Sequence, residues 1–167
     1  LTPSAVKIAA LELGLPVLQP QSLKSEQFRS EIEALKPDII VVIAFRILPS
    51  SIYTLASLGA FNIHGSLLPK FRGAAPINWA IINGEKESGV TSFLLNDKVD
   101  TGKILRKRTC EISETMTAGE LYAELMPLAA ELAVKTSALL SEGNAVPIPQ
   151  DDSIATPAPK LFRENCS

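Results

Sequence analysis

The chain has 167 residues, 16 Lys plus Arg against 18 Asp plus Glu, and a formal net charge of −2, so its length fits one globular domain and its balance gives no case for coating nucleic acid. With 46% hydrophobic and 20% charged residues it is not a disordered chain, and two distant cysteines with a single His exclude a disulfide framework and the usual zinc spacings, so no metal is expected. Its longest apolar run, residues 39–45, falls well short of the ~20 residues that cross a membrane, and a reduced, soluble, cytoplasmic monomer without membrane contact is expected.

Thr2, Pro3 and Gly14 predict a first helix, as cap, first-turn residue and exit. Residues 15–18 read as a short strand. Ser25 opens a second helix that ends before Pro37, because a residue preceding proline is pushed out of the helical region. Residues 38–45 form a continuous β-branched run, the pattern of a strand buried on both faces of a parallel sheet. Pro49 breaks it, and a short helix is expected over 51–57. A brief strand follows over 60–64, then a helix over 76–83, then strands over 89–96 and 104–112. Thr117 and Glu120 have the spacing of a capping box, opening a helix that continues to about Ser141. Pro127 lies inside it and is expected to kink or divide it. Beyond Pro147 the periodicity dissolves. Residues 1–146 are therefore read as a core and 147–167 as a linker.

Helices alternating with short apolar strands predict an α/β fold with a mostly parallel sheet. In such sheets ligands bind where loops leave the carboxyl ends of strands. The loops after Phe45, after His64 and over 96–102 qualify. The glycine patterns that cradle nucleotide phosphates are missing, and so is a serine nucleophile elbow.

His64 is the single histidine and ends a predicted strand. It reads either as a packed histidine or as a reactive one. Asn62 lies two residues earlier, so both side chains share a strand face. An amide donor beside an imidazole suits stabilisation of a developing oxyanion. The apolar, turn-like residues 65–69 suit the wall of a pocket for a flat ligand. Asp100 reads either as a turn aspartate or as a carboxylate that orients His64 and helps remove a proton. Lys103, Arg106, Lys107 and Arg108 are read as charge protecting an edge strand rather than as a phosphate contact. Cys110 is expected to be buried and inert.

Residues Phe61-Asn62-Ile63-His64-Gly65-Ser66-Leu67-Leu68-Pro69-Lys70-Phe71-Arg72-Gly73-Ala74-Ala75-Pro76-Ile77, with Gly89-Val90-Thr91 and Asp100-Thr101-Gly102 further on, resemble the signature of the folate-dependent formyltransferases. The resemblance runs over nearly the whole chain and implies a Rossmann-like core. It implies 10-formyltetrahydrofolate as formyl donor and an amine as acceptor. By the form of the 72–77 loop and of the tail at 153–160, the chain is most similar to members whose partner is initiator methionyl-tRNA. The resemblance implies that Asn62 and His64 stabilise the oxyanion, while Asp100 holds His64 and assists proton removal. It places Phe45, Arg46, Ile47, Leu48, Ser66, Leu67, Leu68, Pro69, Asp97 and Val99 around the folate.

The chain lacks the family's first strand–helix units and its carboxyl-terminal barrel, so a piece of a longer protein is expected, gripping tRNA mostly through regions outside this sequence. The loop through Arg46 is one residue shorter than the family's common form. Formyl transfer to a nucleotide-sugar amine or a glycinamide ribonucleotide, hydrolysis of the donor, and non-catalytic folate binding remain alternatives.

Overall fold

Hydrogen-bonding side chains at helix starts and β-branched runs set the elements of this fold. The computed structural model describes residues 3–43 and 47–162. Helix α1 spans Ala5–Glu12 and is capped by Ser4, whose Oγ accepts from the Lys7 amide at 3.3 Å. The expected cap, Thr2, lies outside the described residues. Residues 15–18 form no strand, a correction. Pro16 offers no amide, and no neighbouring strand pairs with this stretch. Helix α2 spans Glu26–Ala34 under a Ser25 cap, and strand β1 spans Ile39–Ile43. The short helix α3 is Ser50–Tyr53, shorter than expected. Strand β2 is Gly59–His64, and the two-residue β3 is Arg72–Gly73. Helix α4 is Pro76–Ile82, followed by β4 over Glu87–Leu94 and β5 over Ile104–Glu111. Helix α5 covers Ala118–Ser141 behind the expected capping box, in which Thr117 Oγ1 accepts from the Glu120 amide and Glu120 Oε2 accepts from the Thr117 amide. Pro127 does not divide α5, which runs on through it.

The main sheet has the order β1-β2-β4-β5. Its α/β class is as expected, but its pairing is mixed. Strand β1 pairs parallel with β2, while β2–β4 and β4–β5 pair antiparallel. A short loop joins β4 to β5, and such a link permits only an antiparallel return. The core lies between one sheet face and α5. Phe61, Ile63 and Val90 of the sheet pack with Leu121, Leu125, Leu132 and Leu140 of the helix. Strand β1 is not buried on both faces, another correction: Val41 is 41% and Ile43 53% exposed. Strand β1 ends the strand order of the described sheet, so one of its sides has no neighbouring strand there. Among the described residues, no helix is long and apolar enough to cross a membrane.

Strand β5 is one edge of the described sheet, and Arg106, Lys107 and Arg108 on it are exposed. Arg108 Nη2 pairs with Glu131 of α5 at 3.3 Å. This fits the reading of the row as edge protection. Cys110 is half-buried rather than buried, and burial followed by the nearby Glu124 carboxylate pushes its thiol upward, away from reactivity.

The segment after Pro147 departs from the linker pattern. Ile148 bridges to Ile104 through two backbone hydrogen bonds of 2.8 Å. A 3-10 turn over Asp152–Ile154 follows, and then β6, Pro157–Ala158, which pairs parallel with β3. Phe71 and Arg72 donate their amides to Thr156, and Trp79 Nε1 donates to the Pro159 carbonyl at 2.8 Å. Residues 148–159 thus form a strap docked on the core.

Candidate active site

Strand β2 sorts its side chains by alternation. Phe61 and Ile63 point to the α5 core, and Asn62 and His64 share the opposite face. Asn62 is flanked in register by Val42 of β1 and Phe93 of β4. On this face a cleft is lined by Val42, Leu48, Tyr53, Asn62, Phe93 and Asp100, with the 95–99 loop as its rim. Apolar side chains such as Val42, Leu48 and Phe93 share its lining with polar ones such as Tyr53, Asp97 and Asp100. Asn62 Oδ1 is buried without a hydrogen-bond partner among the described residues. Buried acceptors are nearly always paired, so this orphan on a residue that lines the cleft is unusual.

Asp100 also lines the cleft and is 8% exposed, with a left-handed backbone at φ 54°. Its Oδ2 accepts from the Gly73 amide at 2.8 Å and lies 3.7 Å from His64 Nδ1. The other ring nitrogen, Nε2, is 2.8 Å from the Phe71 carbonyl. A carbonyl can only accept, so Nε2 carries a proton and Nδ1 is the nitrogen that faces the carboxylate. His64 and Asp100 are therefore within 3.7 Å of each other, and Asn62 shares the strand face of His64. Asn62 and Asp100 touch the cleft, whereas His64 stands behind them.

Ile47, Leu48, Asp97 and Val99 line the cleft with them. Phe45 and Arg46 lie outside the described residues. Ser66, Leu67, Leu68 and Pro69 do not reach this cleft. Ser66 is buried and donates to the Lys70 carbonyl at 2.6 Å. Leu68 is buried under Phe93, and its amide donates to Thr91 Oγ1. Leu67, Leu68 and Pro69 border a second cavity with Lys70, Glu85 and Lys107. Their turn is pinned to the same sheet face by Thr91, whose Oγ1 accepts from the Leu68 amide and donates to the Ser66 carbonyl.

Sequence reasoning missed Tyr53, Phe93, Leu95 and Gln150. Tyr53 Oη donates to Asp97 Oδ1 at 2.8 Å, and this bond to the carboxylate holds the phenol above its ordinary range. It ties α3 to the rim of the cleft. A tyrosine on a four-residue helix has no neighbouring pattern that would single it out.

Backbone contact seats the Asp100 loop. A Cβ on Gly102 would stand 1.6 Å from the Leu94 carbonyl oxygen. Gly102→Ala is therefore expected to cost at least the ~1–3 kcal/mol typical of overpacking. A thermal melt reads this as a clear fall in Tm, and an unchanged Tm would show that the loop is seated differently.

A family model described as formyl transferase matches residues 3–136. Methionyl-tRNA formyltransferase of Parabacteroides distasonis is 47% identical, covering 99% of this chain and 53% of that protein. The enzyme of the same name from Chlorobium limicola is 52% identical, covering 98% of this chain and 51% of its own length. The chain thus spans about half the length of the curated relatives it matches. Among solved structures, an N-formyltransferase from Helicobacter canadensis, in complex with folinic acid and dTDP-3-aminofucose, has a TM-score of 0.77 at 22% identity. It covers 98% of this chain and 57% of that one, and it shows the shared fold. The matched family model takes in the main sheet, the cleft and most of α5, and by it the chain belongs to the formyl transferase family.

Proposed function

We propose that this chain carries the folate and formyl-transfer site of an enzyme that formylates the amino group of initiator methionyl-tRNA. Identity near one half to methionyl-tRNA formyltransferases over 98–99% of the chain is the observation that carries the reading. The formyl donor is 10-formyltetrahydrofolate, which supplies an activated one-carbon group. The cleft supports that donor: its apolar side chains suit a flat heterocycle, and the unpaired Asn62 Oδ1 and the polar rim suit groups with hydrogen-bond edges.

The acceptor amine forms a bond to the formyl carbon, the bond from that carbon to the donor nitrogen breaks, and the amine proton ends on the departing nitrogen. The Asn62 amide, with its Nδ2 protons, is placed to stabilise negative charge on the formyl oxygen. His64 reaches that oxygen only by giving up the Phe71 carbonyl. The arrangement therefore favours Asn62 as the oxyanion donor, with His64 and Asp100 as the pair that moves the proton. Asp100 takes the proton from the amine and His64 Nδ1 shares it, while the Phe71 carbonyl keeps the ring from turning.

The test is formyl transfer from 10-formyltetrahydrofolate by the full-length gene product. Initiator methionyl-tRNA, a nucleotide-sugar amine, glycinamide ribonucleotide and no acceptor form the panel. Formyl-methionyl-tRNA as the main product is expected. Preferred formylation of a sugar or glycinamide amine, or formate release alone, would reject the tRNA assignment.

A further inference from the structure

The Asp100 carboxylate is useful only if its backbone stays in a conformation that non-glycine residues seldom adopt. Such a residue persists when its surroundings over-determine it. Two sets of bonds do so. On the carboxylate side the Gly73 amide holds Oδ2. On the backbone side the Gln150 Nε2 donates to the Asp100 carbonyl at 2.9 Å and to the Gly102 carbonyl at 2.8 Å. Among the described residues, no other side chain bonds either carbonyl.

Gln150 is itself fixed. Its Oε1 accepts from Arg72 Nε at 3.1 Å and from Arg72 Nη2 at 2.8 Å. Arg72 Nη2 also reaches Asp152 Oδ1 at 2.8 Å. Donors on one side and carbonyls on the other leave the Gln150 amide a single orientation. Arg72 and Gly73 are neighbours on β3, so one two-residue strand grips both the carboxylate and the glutamine that grips the carbonyl. The Ile148–Ile104 bridge delivers Gln150 to this place.

We propose that Gln150 is a positioning residue for formyl transfer, holding the Asp100 carboxylate at the cleft by clamping the loop backbone on either side of Thr101. Gln150 lines no part of the cleft and touches no reacting atom. It works through Asp100, and so the strap at 148–159 belongs to the catalytic apparatus. The proposal rests on the formyl-transfer reading for its assay.

The experiment is a double-mutant cycle in the full-length gene product. Gln150→Ala removes the clamp. Gln150→Glu keeps an acceptor for Arg72 but has no proton to donate to the two carbonyls, and it serves if the alanine variant folds poorly. Both are expected to lower kcat roughly 10–100-fold, the scale of a misplacement on the order of 1 Å, with a much smaller change in donor KM. In an Asp100→Asn background the same substitutions are expected to cost under about twofold, because the group they position is already lost.

Wild-type kcat in Gln150→Glu, or the same fold-loss in both backgrounds, would overturn the proposal. A loss that follows the folded fraction in a thermal melt would overturn it as well. Should the wild type formylate a different amine, the ratios are read with that acceptor. The tRNA assignment then falls and the Gln150 result stands on its own.

Discussion

Replacing Asn62 with Ala in the full-length gene product is expected to lower kcat for formyl transfer by roughly 10²–10³, the scale for removing one oxyanion donor. Stability should move the other way or not at all. The Asn62 Oδ1 is buried and unpaired, and such an orphan costs about 1–3 kcal/mol. Alanine removes that cost, so Tm should hold or rise while turnover falls. A side chain present for packing would show the reverse: turnover kept and Tm lost. His64→Ala should also lose roughly 10²–10³ in kcat, but with a fall in Tm, because it removes a buried ring bonded to the Phe71 carbonyl. The pair of substitutions thus separates a group held for chemistry from one that serves both chemistry and the fold. Steady-state kinetics beside thermal melts reads all four quantities. Near wild-type kcat in both variants would remove Asn62 and His64 from the reaction.

Local signals made much of this fold legible. The β-branched run, the Ser25 and Thr117 caps and the Asn62–His64 alternation depend on neighbours in sequence, and the structure shows the run as β1 over Ile39–Ile43 and both caps and the alternation in place. The errors share a different cause. Residues 15–18 look like a strand, but a strand needs a partner and Pro16 weakens any pairing. Within the main sheet the parallel preference inferred from 38–45 holds for β1–β2 alone, because direction is decided by connections rather than by composition. The strap at 148–159 has no period to detect. It docks through single side chains, Gln150 on the Asp100 loop and Thr156 on Phe71, and each bond spans 48 residues or more. Leu67, Leu68 and Pro69, which the resemblance places around the folate, border a second cavity. Leu68 packs beneath Phe93, on the same sheet face as Asn62 and His64. Side-chain bonds between distant segments position this site, and a single sequence carries no sign of them.

Asp100→Asn is expected to lower kcat by roughly 10²–10⁴, the range for losing a general acid–base partner. Asparagine is the informative replacement on physical grounds. It tolerates the left-handed backbone that Asp100 occupies, whereas alanine would mix backbone strain into the result. Its carbonyl oxygen can still accept from the Gly73 amide, so the loop keeps its anchor on the carboxylate side. The Gln150 clamp acts on the backbone and is untouched. What changes is the group 3.7 Å from His64 Nδ1: a carboxylate able to take a proton becomes an amide that cannot. Donor KM should therefore change far less than kcat, and Tm should stay close to wild type. The pH dependence of kcat should also change, since the proton-accepting member of the pair is gone. An unchanged pH–rate profile with near wild-type kcat would reduce Asp100 to a turn residue. A large rise in donor KM with kcat kept would place it in folate binding instead. A fall confined to kcat, in a protein as stable as the parent, is the result that the geometry of Asp100, His64 and Gly73 requires.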